Sequence, residues 1–468
     1  METYESLLAA VTAAEGGRPV VDPATDEVLG HAPERGTADL ERAVAAARAA
    51  QPDWESLGHR ERSRLLNAAA DAVDRSAEAL AHLVSREQGK PLNGPGSRFE
   101  AGGVSAWLRA AAATPLDPVQ VLDDESGQAT LGYRAVGLVG AIGPWNWPAL
   151  VATWQLAPAL RMGNAVVMKP SEHTPLSVLA LAAIVDQVLP EGVLTVLPGG
   201  GDLGAAMTAH PAFDKLMFTG STRTGKAIAA SSAGHLPRLT LELGGNDPGI
   251  VLPDADPAAI AADLFWGAFI NTGQTCAALK RLYVHESLHD DVADALADVA
   301  AQTPMGPGTD EKSMLGPLTT GGQFRIVDGL VEQAKAAGGR LVTGGGPDRD
   351  GAGNFYPTTL VTGLDAGAPL VVEEQFGPAL PIVAYSDLDE AVAHANALDV
   401  GLGASVWSSD VERAKQVASR IEAGTVWVNK HGTLHPMVPF GGVKGSGYGL
   451  EFGAEGLKSV AVPQVIVT

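Results

Sequence analysis

YRAVGLVGAI at 133–142, NAVVMKP at 164–170, GVLTVLP at 192–198, KLMFTG at 215–220 and LTLELGG at 239–245 are short aliphatic, β-branched runs with helical stretches between most of them. Strands that alternate with helices at this spacing predict βαβ units and a mostly parallel sheet covered on both faces. A second series follows with RLYVH at 281–285, RLVTGG at 340–345, LPIVAYS at 380–386, ASVWSS at 404–409 and GTVWVN at 424–429. Two such series imply two α/β units with a cleft between them, and that cleft is the first place to look for chemistry. Upstream, Thr37 is a plausible N-cap for a helix that puts Leu40, Val44 and Ala47 on one face. A second helix is expected from about Arg60 to Gln88, where Gly89 and Pro91 stop it.

Composition narrows the class. A chain of 468 residues exceeds one ordinary core, and 46% hydrophobic with 18% charged residues fits a soluble globular protein. Acidic residues number 54 against 32 basic, for a net charge of −22, which argues against nucleic-acid or anionic-membrane partners. Cys276 is the only cysteine, so an intrachain disulfide and a thiolate metal cluster are both excluded and a reducing, cytoplasmic compartment is the natural expectation. The N-terminal stretch METYESLLAAVTAAEGG lacks the basic and apolar regions of a signal peptide, and no apolar run is long enough to span a bilayer.

Three motif matches weaken on inspection. HESLH at 285–289 has the spacing of a zincin, but His285 ends a strand and Ser287 is placed to cap the following helix. The imidazoles would then sit on different elements, and no metal site is expected. GSTRTGK at 220–226 matches most of a phosphate-binding loop, but Ala227 stands where a magnesium-binding hydroxyl is required. A turn of small residues leading into a helix still suits a phosphate or pyrophosphate. Gly199, Gly201 and Gly204 fit a second glycine-rich turn, weak by itself.

Three residues in turns carry more weight. Asn146 lies in the stiff corner Pro144-Trp145-Asn146-Trp147-Pro148, directly after a strand. Glu242 closes the strand LTLE ahead of Gly244 and Gly245, which let another group approach closely. Cys276 ends the small-residue turn NTGQTC. Taken singly, such a cysteine reads as a buried small hydrophobe and such a glutamate as a solvated charge.

Together these residues and their neighbours resemble the aldehyde dehydrogenase superfamily, in its non-phosphorylating, hydrolytic branch. PWNWP at 144–148, KPSEHTP at 169–175, FTGST at 218–222, LELGG at 241–245, GQTC at 273–276, EEQFGP at 373–378 and PFGGVKGSG at 439–447 occur in that family's order. The resemblance implies two Rossmann-like doubly wound parallel-sheet domains and a small β oligomerisation element. Residues 1–114 and 137–242 would bind the dinucleotide and residues 243–438 would carry catalysis. Residues 115–136 and 439–468, including the run SVAVPQVIVT with its edge-marking Pro463, would bridge copies in a homodimer or homotetramer.

By the same resemblance Cys276 is the nucleophile, Glu242 the general base and Asn146 the oxyanion donor. NAD would be the cofactor, with NADP the weaker alternative because a carboxylate at Glu172 repels a 2′-phosphate. Lys169 and Glu172 would hold the adenosine ribose, Gly199 the adenine side, and Gly220 and Ser221 the pyrophosphate. Glu374 would bind the nicotinamide ribose, with Trp145, Leu243 and Phe376 near the nicotinamide. Trp147, Trp154 and Phe440 would line the aldehyde tunnel, with His431 to His435 at its mouth, which suits an aliphatic or aromatic aldehyde. Two alternatives stay open: a CoA-acylating relative, and a catalytically idle structural or binding protein on the same scaffold.

Overall fold

A computed structural model describes residues 3–347 and 351–468. Its first large sheet has six strands in the spatial order Gly447–Tyr448, Arg238–Glu242, Lys215–Thr219, Leu138–Ile142, Ala165–Lys169 and Leu194–Val196. All neighbours are parallel except the two-residue edge strand Gly447–Tyr448. The strand order reverses between Leu138–Ile142 and Lys215–Thr219, so the turns leaving those strands diverge and open a crevice at their C-terminal ends. Leu138–Ile142, Ala165–Lys169 and Lys215–Thr219 are buried at every position, which explains why they read as continuous apolar runs without alternation.

The second sheet has seven strands in the order Arg340–Thr343, Thr359–Thr362, Ala379–Tyr385, Leu279–His285, Asp247–Val251, Gly403–Trp407 and Thr425–Val428. Only its first pair is antiparallel. Asp247–Val251 lies near the middle of this sheet, yet its sequence DPGIV gave no strand signal because proline and glycine argue against a central strand. A register irregularity between Asp247 and Pro248 places the missing N–H where the ladder is already broken. Thr359–Thr362 was likewise not anticipated.

The opening run YRAVGLVGAI proves to be two strands. Gly127–Ala135 belongs to a three-stranded antiparallel sheet between Val119–Asp124 and Ala461–Val467, and Leu138–Ile142 to the first large sheet. The chain changes sheets at Gly137, whose φ of +125° and tight approach to the Asp214 carboxylate leave no room for a side chain. Ala461–Val467 is an edge strand, with Pro463 opposite Tyr133.

Upstream helices run from Thr37–Ser56 and Gly58–Gln88, the second ending at left-handed Gly89. Leu40, Val44 and Ala47 are all buried. Gly36 rather than Thr37 is the N-cap, and the Asp39 carboxylate accepts from its N–H at 3.0 Å. At the HESLH corner His285 ends its strand and His289 opens a helix. Ser287 does not cap that helix; its hydroxyl pairs with His285 Nδ1 at 2.8 Å, and Leu288 holds the cap position. Among the described residues no helix is long and apolar enough to cross a membrane.

Candidate active site

A cavity of about 750 Å³ occupies the crevice at the C-terminal ends of the first sheet. Its wall includes Gly143–Asn146 after one strand, Thr219–Ser221 after the next and Glu242–Gly244 after a third, with Cys276 contributed from across the cleft. Of the residues expected at the site it brings together Trp145, Asn146, Lys169, Glu172, Gly220, Ser221, Glu242, Leu243, Cys276, Glu374 and Phe376. Gly199 stands outside the wall, packed against Leu203 and the Arg35 carbonyl, while Gly201 and Gly204 line it.

One end of the cavity is polar. Lys169 Nζ lies 3.7 Å from Glu172 Oε2. Burial disfavours the Glu172 carboxylate, but its own backbone N–H, Lys169, His173 and Arg18 outweigh that and hold it below the ordinary range. It is therefore ionised near neutrality, beside a buried ammonium. In the middle, Ser221 caps the helix Thr222–Ser232 by accepting from Thr224 N–H at 3.3 Å. The N-terminal end of that helix faces the cavity and favours an anion. The Gly220 N–H is committed elsewhere, donating to the Glu242 carbonyl at 3.0 Å, so what Gly220 offers is a missing side chain. At the far end Trp145 and Phe376 meet edge to face, 5.4 Å between centroids. Phe376 holds this position with a φ of +44°, uncommon for an aromatic residue.

The floor carries a thiol, a carboxyl and an amide. Helix Pro257–Phe269 passes into a short 3-10 turn, Ile270–Gly273, where Asn271, Thr272 and Gly273 all have positive φ. Asn271 Nδ2 donates to the Asn146 carbonyl at 2.8 Å, and Asn146 Nδ2 donates to the Gln274 carbonyl at 2.9 Å. Lys90 Nζ also donates to the Asn146 carbonyl at 2.8 Å, so this corner and the cysteine turn hold each other. One amide hydrogen of Asn146 is left over for another acceptor. Cys276 is half-buried, and desolvation pushes its thiol up to about 12 despite the nearby Lys280 charge. The Glu242 carboxyl is buried, its Oε1 has no hydrogen-bond partner, and burial together with repulsion from Glu451 raises it well above the usual carboxylate range. Burial raises Glu451 as well.

The sequence that builds this cavity, with a carboxylate-ammonium pair at one end, a helix N-terminus midway and a thiol, a carboxyl and an amide at the other, matches a family model described as "Aldehyde dehydrogenase family" over residues 11–466. The chain belongs to the aldehyde dehydrogenase family. Among its relatives, geranial dehydrogenase from Castellaniella defragrans is 38% identical, covering 94% of this chain and 92% of its own. Phenylacetaldehyde dehydrogenase from Pseudomonas fluorescens is 36% identical over 96% of this chain and 92% of its own. The crystal structure of a cysteine-to-alanine variant of aldehyde dehydrogenase C from Pseudomonas syringae, complexed with NAD+ and octanal, is similar with a TM-score of 0.92. It is 35% identical and covers 97% of this chain and 94% of that one.

Of the three aromatic residues expected in an aldehyde tunnel, Trp154 borders a separate small pocket with Trp107, Thr114 and Phe452, and none of the three is on the wall of the main cavity. Trp147, Trp154 and Phe440 form a buried cluster with Trp427, Phe452 and Leu402, and Cys276 packs against it from the cavity side. His431 is not at a mouth either. It is buried, with Nδ1 2.9 Å from the Ser405 hydroxyl, whereas His435 is exposed. The sequence reading of this aldehyde dehydrogenase missed two charged residues at the centre, Lys280 and Glu451. No motif carries Lys280. Glu451 lies in the C-terminal segment, and its proximity to Glu242 follows only from pairing of Gly447–Tyr448 with Arg238–Glu242.

Proposed function

We propose that this chain oxidises an apolar aldehyde to its free carboxylic acid with NAD+, through a thioester on Cys276. The observation that carries the reading is the presence of Cys276, Glu242 and Asn146 on the wall of one cavity that runs on to Lys169, Glu172 and the Ser221 helix cap. That wall fits a dinucleotide: an ionised carboxylate and a buried ammonium suit ribose hydroxyls, and the helix N-terminus suits the phosphates. NAD+ held there by Lys169, Glu172 and the Ser221 helix end would supply the hydride acceptor. In this reading residues 1–114 and 137–242 hold the dinucleotide and residues 243–438 hold the nucleophile. Residues 115–136 and 439–468 join copies through the sheet that exposes Val119, Val121, Val465 and Ile466.

The chain's own groups do the remaining work. Desolvation keeps the thiol protonated, so attack on the aldehyde carbon requires its proton to leave to solvent, a loss that the nearby Lys280 charge favours. The spare Asn146 amide hydrogen is placed to stabilise the oxyanion that follows, a donation that typically contributes about 10²–10³ in rate. Collapse leaves a thioester. Glu242 then takes a proton from water, which attacks the acyl carbon and releases the acid and the thiol. A glutamate here favours water over CoA as the acyl acceptor. Relatives named for geranial and phenylacetaldehyde, a structure holding octanal, and the aromatic cluster behind Cys276 all favour an aliphatic or aromatic aldehyde.

The deciding assay follows NADH formation with octanal and phenylacetaldehyde, with and without CoA. Full turnover in the absence of CoA is expected. An absolute CoA requirement would replace the hydrolytic reading, and no NADH with any aldehyde would favour an idle scaffold.

The carboxyl pair gives a pH prediction. Glu242 is raised first by burial and then by Glu451, and the two titrate as a pair. Glu451→Gln removes the like charge, so Glu242 should ionise at lower pH. The acid limb of kcat against pH is expected to move down; a limb that moves up would count against Glu242 as the base.

A further inference from the structure

We infer that Lys280 is a positioning residue for the reaction, an internal cation that clamps the Cys276 turn and ties that turn to the Glu374 carboxylate. The inference rests on Cys276 being the reacting group. Lys280 lies in the strand Leu279–His285, and its side chain is 2% exposed. It does not reach for solvent. Its Nζ donates back to the Thr275 carbonyl at 2.6 Å and the Cys276 carbonyl at 3.2 Å, and stands 3.5 Å from Glu374 Oε1. An ammonium has three N–H donors, and these are three acceptors. The Phe376 ring centroid lies 5.3 Å from the same nitrogen. Lys280 thus joins the turn that bears the nucleophile to the loop that bears Glu374 and Phe376, the two residues assigned to the nicotinamide end.

Burying an ammonium is costly unless its charge and every donor are matched, so a lysine here needs a reason beyond filling space. Its surroundings supply one. Besides the Ala277 N–H, which favours a thiolate, the charged groups that act on the Cys276 sulfur are Lys280, Glu242 from the end of its strand and Asp247 from the start of Asp247–Val251. Both carboxylates oppose a thiolate, and Lys280 is the cation among the three. Asp247 is itself faced by His431, whose Nε2 lies 3.6 Å from Asp247 Oδ2. Glu374 sits on the far side of Lys280 and also accepts from Gly245 N–H at 3.3 Å, so it competes with the cysteine turn for the ammonium. Removing Lys280 takes away the cation that offsets the two carboxylates, whereas neutralising Glu374 leaves the ammonium's charge less compensated beside the sulfur. The two changes therefore act on the thiol with opposite signs.

Cys276 being the sole cysteine makes the test direct. The rate of iodoacetamide addition, followed by protein mass across about pH 6 to about pH 10, titrates this one sulfur. Lys280→Met should alkylate about tenfold more slowly near neutrality, with its profile displaced to higher pH. Lys280→Arg should stay near the wild-type profile, and Glu374→Gln should be displaced to lower pH. A merely structural lysine would change the folded yield and leave the profile of the folded protein in place. Superimposable profiles for Lys280→Met and wild type would overturn the inference. Should Lys280→Met not fold, a Glu374→Gln profile that matches wild type would overturn it equally. Wild-type protein that is fully alkylated yet still reduces NAD+ at full rate would remove Cys276 as nucleophile, a failure distinct from that of Lys280.

Discussion

Replacing Cys276 with alanine is expected to lower aldehyde-dependent NADH formation by about 10⁴-fold or more while NAD+ binding persists. Without the sulfur no covalent adduct forms, and hydride would have to leave from a bound hydrate that the site does not hold covalently. The substitution removes one half-buried atom at the cavity floor, so the fold should be unaffected. Stopped-flow absorbance at the NADH wavelength, paired with calorimetric titration of NAD+, checks both halves. Residual turnover within about tenfold of wild type would show that another group carries the reaction.

Glu242→Gln should separate the two halves of the cycle. Gln keeps the shape of the side chain and loses the base, so one NADH per site should appear quickly and turnover should then stall at the thioester. Steady-state kcat is expected to fall by about 10²–10⁴. Mass spectrometry of the stalled protein should find the acyl group on Cys276. Steady turnover at the wild-type rate, with no burst and no adduct, would take Glu242 out of its role.

The outline of the fold could be read from the chain because buried parallel strands leave long aliphatic runs and because Gly89 and the prolines mark the element ends. The three residues that meet at the cavity floor stood out for a similar reason: each sits in a turn with its own peculiar composition. Asp247–Val251 was not, since Pro248 and Gly249 send a local signal that the neighbouring strands overrule. Trp147, Trp154 and Phe440 show a further limit. Aromatic residues near a site look the same in sequence whether they line a channel or fill a core; here the three share one buried cluster, and Trp154 also borders a small pocket. Lys280 and Glu451 were invisible because their importance comes from what the fold places beside them. An ordinary-looking lysine within a strand and a glutamate near the C-terminus become central only when a distant carboxylate or thiol arrives.

The winding of the turn at Asn271 and Thr272 has a mechanical consequence. Non-glycine residues in the left-handed region each store about 1–3 kcal/mol, and a segment so coiled would relax if released. It is held by fasteners from elsewhere in the chain: Asn271 on the Asn146 carbonyl, Thr272 Oγ1 on the Gly316 carbonyl at 3.0 Å, and Gln274 receiving the Thr319 N–H at 2.9 Å. The sulfur therefore rides on a cocked spring rather than a slack tether. Its aim is set before any aldehyde arrives, and the molecule gives up some of its resistance to unfolding to keep it so.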